Sequence, residues 1–247
     1  MESFSSSAAY YAVLSDTDER LQHEGPFLEQ WLGRAPGRRV VDLASGTGMH
    51  AAFFAGIGAE VTALDISPEM VAFARERRPH PNVTYGVADM RLVDGGPWDM
   101  AVCLGNSLSL VHSEKEVEET LDSVHRSLAP GGLFVIQAIN YSGLEAHKPR
   151  HRVVRKIVGG AEVVAVKSLV PYDGRTLLTL TFFAMEKERY DSVAEAAVLL
   201  NLTRESLLAA AEKMGFQTVE IFGNYDGAPY QPDTSPDLIA VFQRPGP

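Results

Sequence analysis

The stretch Arg39-Val40-Val41-Asp42-Leu43-Ala44-Ser45-Gly46-Thr47-Gly48 decides the fold. An apolar run at Arg39–Leu43 reads as a strand, a loop with two glycines follows, and a helical pattern starts near His50–Ala55. Glycine between a strand and a helix lets the backbone take positive φ and approach a ligand closely. That junction is where an open α/β sheet binds its ligands.

The same alternation continues outward. Strands are expected at Glu60–Asp65, Val83–Val87, Met100–Leu104 and Leu133–Ala138. Ser67-Pro68-Glu69 supplies an N-cap and a proline at the first helical position. Ser113-Glu114-Lys115-Glu116 fits a capping box, with Val117, Leu121, Val124 and Leu128 on one face behind it and Pro130-Gly131-Gly132 as its stop. Strands separated by helices at this spacing mean parallel strands joined by crossovers. Val40-Val41 and Leu133–Ile136 are apolar on both faces, as a doubly covered sheet requires. Upstream, residues 4–33 read as helical, broken in two at Pro26. Downstream the pattern changes to short β-rich runs, Val153–Val158, Glu162–Val170, Leu177–Phe183 and Ala196–Leu200, with turns at Gly159-Gly160 and Asp173-Gly174. A helix at Thr203–Met214 and strands near Thr218–Gly223 and Leu238–Gln243 complete the chain. The fold class expected is a doubly wound, Rossmann-like α/β protein with a seven-stranded sheet and a small antiparallel β insertion. Its expected parts are a helical cap over residues 1–36, a main domain over 37–143 and 202–247, and an inserted platform over 144–201.

Composition narrows the function classes. The 247 residues carry 32 acidic and 22 basic side chains, a net charge of -10, which would repel a nucleic-acid backbone. The one local basic run, His147-Lys148-Pro149-Arg150-His151-Arg152, reads as a solvated loop entering a strand. The single cysteine, Cys103, sits in an apolar run and reads as a buried, inert thiol. No apolar stretch approaches the roughly 20 residues that span a bilayer. The N-terminus lacks the basic and apolar regions of a signal peptide, so a cytoplasmic location is expected, with neither membrane nor nucleic acid as partner. A monomer or homodimer is equally open. No metal site is expected.

Gly46-x-Gly48-x-x-Ala51 also satisfies a dinucleotide fingerprint, so a nicotinamide-dependent oxidoreductase is a rival reading. Three acids at successive strand ends favour another cofactor. Asp42 would repel a pyrophosphate but suit the cationic ammonium and sulfonium of S-adenosylmethionine. Asp65 can accept from both ribose hydroxyls, which fits either nucleoside. Asp89, in Ala88-Asp89-Met90, can accept from an adenine amino group. Each acid alone has an ordinary reading as a cap, a turn residue or a surface carboxylate; the three together are hard to assign to chance.

On these residues the sequence resembles the class I S-adenosylmethionine-dependent methyltransferases. Within them it is most similar to the glycine N-methyltransferase and glycine/sarcosine methyltransferase group. Val40–Gly48, Cys103-Leu104-Gly105-Asn106-Ser107, Pro130–Ile136, Asn140-Tyr141 and the tail Tyr225–Arg244 carry the likeness. The resemblance implies that Arg20, with Tyr10 or Tyr11, closes over the methionine end of the cofactor. It implies that Asp65 and Ile66 hold the cofactor's ribose and adenine and that Asp89 and Met90 hold the adenine; Asp42, Ala44, Gly46, Gly48 and Met70 are expected in the same cofactor site. Leu104, Asn106 and Ser107 would line the methionine arm. Asn140 and Tyr141 lie just after the fifth strand, on the ligand side of the sheet, and are expected to orient the acceptor, a small molecule. S-adenosylhomocysteine would be the product.

Two departures bear on the acceptor. Glycine-methylating relatives carry an arginine in the inserted strands, whereas Val193–Leu200 here contains none, which predicts a more apolar pocket. His112 has no counterpart in the pattern; it is either a pocket base or a loop histidine ahead of a helix cap. Without a secure base, nitrogen is favoured over a hydroxyl as acceptor, because a neutral amine attacks a sulfonium methyl unaided. O- or C-methylation, and a binding protein without turnover, stay open.

Overall fold

The computed structural model describes residues 7–15, 18–144, 148–158, 160–186 and 189–246. The helical onset at residues 4–6, His147 and Gly159 lie outside them. The first strands are β1 (Arg39–Leu43), β2 (Glu60–Asp65), β3 (Val83–Val87), β4 (Trp98–Cys103) and β5 (Leu128–Ile139). Next come β6 (Arg150–Val158), β7 (Ala161–Tyr172), β8 (Arg175–Glu186) and β9 (Arg189–Leu200), then β10 (Gln217–Phe222) and β11 (Asp237–Gln243). One sheet has seven strands in the order β10-β11-β5-β4-β1-β2-β3, and a second has four in the order β6-β7-β8-β9. The large sheet is parallel except at β11, which runs antiparallel to both neighbours. The small sheet is an antiparallel meander. The doubly wound sheet with a β insertion is therefore present.

The helices are α1 (Ser7–Ser15), α2 (Asp18–Leu32), α3 (Met49–Gly56), α4 (Pro68–Arg77), α5 (Glu114–Ser127) and α6 (Arg204–Lys213). They cover both faces of the large sheet. On one face Leu28 and Trp31 of α2 and Phe54 of α3 pack against Val40, Val61 and Val102. On the other, Leu121 and Val124 of α5 and Leu207 of α6 pack against Val41, Ala101, Phe134 and Phe242. Strand residues therefore bury alternate side chains into two different cores, which is why β1 needs apolar residues at consecutive positions. Cys103 is fully buried in the second core. Helix α1 lies on the small sheet, with Tyr10 stacked on Phe182 at 5.5 Å between ring centroids.

Three local expectations are corrected. Pro26 lies inside α2 and does not divide the helical region. Gly25 before it has no Cβ to clash with the proline ring, and it allows close approach of Phe53, whose Cε2 would stand 2.9 Å from an added Cβ. Burial of Phe27, Leu28, Trp31 and Leu32 then outweighs the lost helical bond. The capping box at Ser113 is half formed. Ser113 Oγ accepts from Glu116 N at 3.3 Å, but the Glu116 carboxylate takes the His112 N–H at 2.6 Å and Arg91 Nη1 at 2.9 Å. Pro130-Gly131-Gly132 belongs to the span of β5, because α5 already ends at Ser127.

Candidate functional site

The strand order reverses beside β1, which pairs with β2 on one side and β4 on the other. Beyond the carboxyl ends of these strands lies a cavity of about 660 Å³, closed by α1, α2 and the small sheet. A volume of that size falls within the range of small-molecule sites.

The glycine loop forms its floor. Gly46 has φ +54°, and a Cβ there would meet nothing within 4 Å, so its bare backbone faces the open space. Ala44 also takes positive φ, at 52°, and lines the cavity. Gly48 differs. At φ +76° it caps α3, and a Cβ would stand 2.9 Å from the Tyr85 ring. It is a packing glycine and is not part of the cavity wall. Asp65, at the end of β2, accepts from Gly46 N at 2.8 Å and Ser67 N at 2.9 Å. Two backbone amides thus fix its carboxylate at the cavity edge. Ile66 (67% exposed), Met70 and Met90 add apolar surface beside it. Asp89 also lines the cavity, but Arg91 grips it: Nε lies 3.0 Å from both carboxylate oxygens and Nη2 lies 2.5 Å from Oδ2. The hydrogen bonds from Arg91 hold the Asp89 carboxyl below its usual range.

Asp42 stands elsewhere than expected. It is 2% exposed and lies behind the loop, away from the cavity wall, with Oδ2 lacking a hydrogen-bond partner among the described residues. Burial, with the charge of Asp65 added, pushes its carboxyl up to about 8. A largely protonated, enclosed carboxyl at neutral pH cannot supply the exposed negative charge that the sequence reading assigned to it.

Arg20 and Tyr11 line the opposite end of the cavity. Arg20 Nε donates to Glu24 Oε1 at 2.7 Å, and Glu24 Oε2 sits 2.6 Å from His50 Nε2. Burial alone would raise the Glu24 carboxyl, but the hydrogen bond and charge of His50, with Arg20, bring it below its ordinary value. The spacing Arg20–Glu24 is one helical turn, so this pair was readable from sequence. Tyr225 completes the group: its buried hydroxyl has no hydrogen-bond partner among the described residues, and burial holds its phenol well above the usual range.

Asn106 and Ser107 line the cavity on a 3-10 turn spanning Ser107–Leu110. Leu104 lies behind them in the core; its carbonyl accepts from Ser107 Oγ at 2.8 Å. Asn106 is clamped from β5. Its Oδ1 accepts from Ile139 N at 2.9 Å, and its Nδ2 donates to the Tyr141 hydroxyl at 2.8 Å. Tyr141 therefore supports Asn106 from behind and does not itself line the cavity. Asn140 is further removed. Its Nδ2 donates to the carbonyls of Pro232 at 2.8 Å and Ser235 at 2.9 Å, and its Oδ1 accepts from Tyr230 Oη at 2.7 Å. Asn140 fastens the tail to β5, leaving no free group to orient an acceptor. His112 lines the rim on a loop held at both backbone atoms, with its carbonyl accepting from Arg175 Nη2 at 2.9 Å.

The sequence reading missed the charged wall opposite the loop. Arg152 of β6, Lys167 of β7 and Glu195 of β9 all line the cavity, charges that the reading of Val193–Leu200 did not weigh. Burial, and then the charges of Arg20 and Arg152, hold the Lys167 ammonium below its ordinary range against the pull of Asp237. The signal was present in the alternation Ala161, Val163, Ala165, Lys167, Leu169, where a lysine occupies the phase of the apolar face. Gln137 and Asp237 were missed as well; Gln137 Nε2 donates to Asp237 Oδ1 at 2.7 Å at the cavity's inner edge.

A family model described as a methyltransferase domain matches residues 40–132. The chain is 35% identical over 140 residues to the glycine/sarcosine N-methyltransferase of Halorhodospira halochloris, covering 54% of this chain and 52% of that one. It is 26% identical over 224 residues to the glycine/sarcosine N-methyltransferase of Aphanothece halophytica, covering 87% and 79%. The chain spans about half the length of several curated relatives that it matches. Among solved structures, S-adenosylmethionine-bound CalS10, an amino pentose methyltransferase from Micromonospora echinaspora, superposes with a TM-score of 0.73 at 23% identity over 96% of this chain and 95% of that one. That likeness carries the fold.

Proposed function

We propose that this chain, a member of the class I S-adenosylmethionine-dependent methyltransferases, transfers a methyl group from that cofactor to the nitrogen of a small-molecule amine. The observation that carries the proposal is the single cavity bounded by the Gly46 backbone, the Asp65 carboxylate and Arg20 on the cofactor side and by the inserted sheet on the other. The residues fit S-adenosylmethionine, the cofactor of the family. Gly46 leaves room for close approach. Asp65 keeps carboxylate lone pairs beyond its two amide bonds, and these accept from ribose hydroxyls. Ile66 and Met90 provide apolar faces for a flat base, and Arg20 pairs with the cofactor carboxylate.

The cofactor supplies a methyl on a cationic sulfonium, an electrophile whose leaving group is already in place. The chain's own task is to position, exclude water and keep the attacking amine neutral. Positioning of this kind contributes up to ~7–11 kcal/mol of barrier reduction. The enclosure by α1, α2 and the small sheet supports water exclusion, and the cations Arg20 and Lys167 disfavour an acceptor ammonium nearby. Asn106, locked by Tyr141 and Ile139, presents a fixed polar edge to the cavity. The relatives named for N-methylation support nitrogen as the acceptor atom.

Calorimetric titration tests the reading. S-adenosylmethionine and S-adenosylhomocysteine should bind, NAD should not, and Asp65→Ala should weaken the cofactor by about a hundredfold, two charge-assisted hydrogen bonds' worth. Binding of NAD in place of S-adenosylmethionine, or an unchanged affinity in a folded Asp65→Ala variant, refutes it.

A further inference from the structure

The small sheet turns one row of side chains to the cavity. Arg152 pairs with Lys167, Lys167 with Leu180 and Leu180 with Glu195, in register across β6, β7, β8 and β9. All four line the cavity. In the flanking rows Ala165 and Phe182 lie under α1, and Leu169 and Leu178 pack towards Tyr141, while Arg150, Lys156 and Asp191 stand at the ends of rows on the edge strands β6 and β9. Along β7 this face reads Ala161, Val163, Ala165, Lys167, Leu169, so Lys167 is its one charged member.

Arg152 and Lys167 are direct cross-strand partners, which places their Cβ atoms roughly 4.5–5.5 Å apart. Like charges in that position destabilise a sheet. Neither side chain makes a hydrogen bond or an ion pair among the described residues. The nearby carboxylates are engaged elsewhere. Glu24 bonds to Arg20 and His50, and Asp237 accepts from Gln137. Glu195 lies two strands beyond Lys167. Asp237 attracts Lys167 without forming an ion pair with it. Two adjacent cations with no carboxylate bonded to either among the described residues, at the wall of a cavity in a chain of net charge -10, suit an anion from outside.

We propose that Arg152 and Lys167 form an oxyanion subsite, so that the methyl acceptor is an amine that also carries a carboxylate or phosphate group. Two cations in fixed register hold two oxygens of one such group. The word acceptor rests on the methyltransferase reading; the anion site does not.

The test uses the full chain saturated with S-adenosylhomocysteine, which occupies Arg20, and isotope-labelled lysine with the Lys167 signal assigned by Lys167→Arg. Inorganic phosphate and acetate are titrated against chloride at equal ionic strength. The expected result is a saturable shift of the Lys167 signal with phosphate or acetate, weakened about tenfold in Arg152→Met. A stronger phosphate response assigns a phosphorylated amine, and a stronger acetate response an amino acid. A Lys167 signal that responds no more to phosphate or acetate than to chloride overturns the proposal. The wild-type titration needs no variant to fold. Failure of S-adenosylhomocysteine to bind is read separately and counts against the methyltransferase reading, because the anion titration can be run without it.

Discussion

Replacing Asp42 by asparagine probes the electrostatics beneath the glycine loop. Burial first, and then the Asp65 charge, raise this carboxyl to about 8, against roughly 3.9 in an unfolded chain. Between these values the folded protein holds a proton that the unfolded chain releases. This group therefore lowers the unfolding free energy by about 1.4 kcal/mol for each pH unit gained. The sign is opposite to that of a salt-bridged carboxylate: the stability is full at acid pH and is lost as pH rises towards about 8. Asparagine ionises in neither state. The stability of Asp42→Asn minus that of wild type should therefore rise by roughly 2–3 kcal/mol between pH 5 and pH 7. Urea unfolding followed by circular dichroism, at constant ionic strength and several pH values, measures it. Contributions from Asp237 and Glu24 are common to both proteins and cancel in the difference. A difference that stays flat with pH would show that Asp42 is ionised in both states, and the reasoning would fail.

Three other perturbations follow from the same structure. Asn140→Ala removes two donated bonds and one accepted bond that hold the tail; a loss of about 2–4 kcal/mol is expected in chemical unfolding, with cofactor affinity preserved, and a selective loss of turnover at unchanged stability would restore Asn140 to the chemistry. Gly48→Ala forces a side chain to φ +76° against Tyr85 and Ala74, for an expected cost of about 1–3 kcal/mol; Gly46→Ala carries the positive-φ strain at +54° but meets no neighbour within 4 Å, so it should cost less stability and lower cofactor affinity; a larger thermal shift for Gly46→Ala than for Gly48→Ala would contradict that division. Tyr141→Phe frees Asn106 from one clamp; about 1 kcal/mol of stability should go, together with a fall in kcat that exceeds any change in cofactor affinity.

The strand ends, the glycine loop and the antiparallel insertion were legible because each rests on local signals: apolar runs, glycine punctuation and period-two alternation. Val83–Val87 and Glu60–Asp65 are strands with the expected bounds. What sequence could not show is which side chains the sheet faces bring together. Asp42 and Asp65 are both acids at strand ends, yet one is sealed behind the loop and the other sits on the cavity edge. Asp89 looked free, but Arg91 two residues on folds back to bind it. Asn140 looked placed for an acceptor because it follows β5, but the tail, 92 residues later at Pro232, claims its amide. The missing arginine in Val193–Leu200 was read as a missing charge, although β6 and β7 bring Arg152 and Lys167 to the same wall. Apart from the local Asp89–Arg91 pair and the phase of Lys167 along β7, these are long-range placements that no local pattern encodes.

The most direct test of the central claim is methyl transfer itself. The chain is incubated with S-adenosylmethionine labelled in the methyl group and a panel of amines, phenols and carbon acids, each with and without an anionic group. The account predicts label on the nitrogen of an amine, with the anionic members preferred. Cofactor bound but label confined to oxygen or carbon acceptors, or transferred to nothing in the panel, would contradict it.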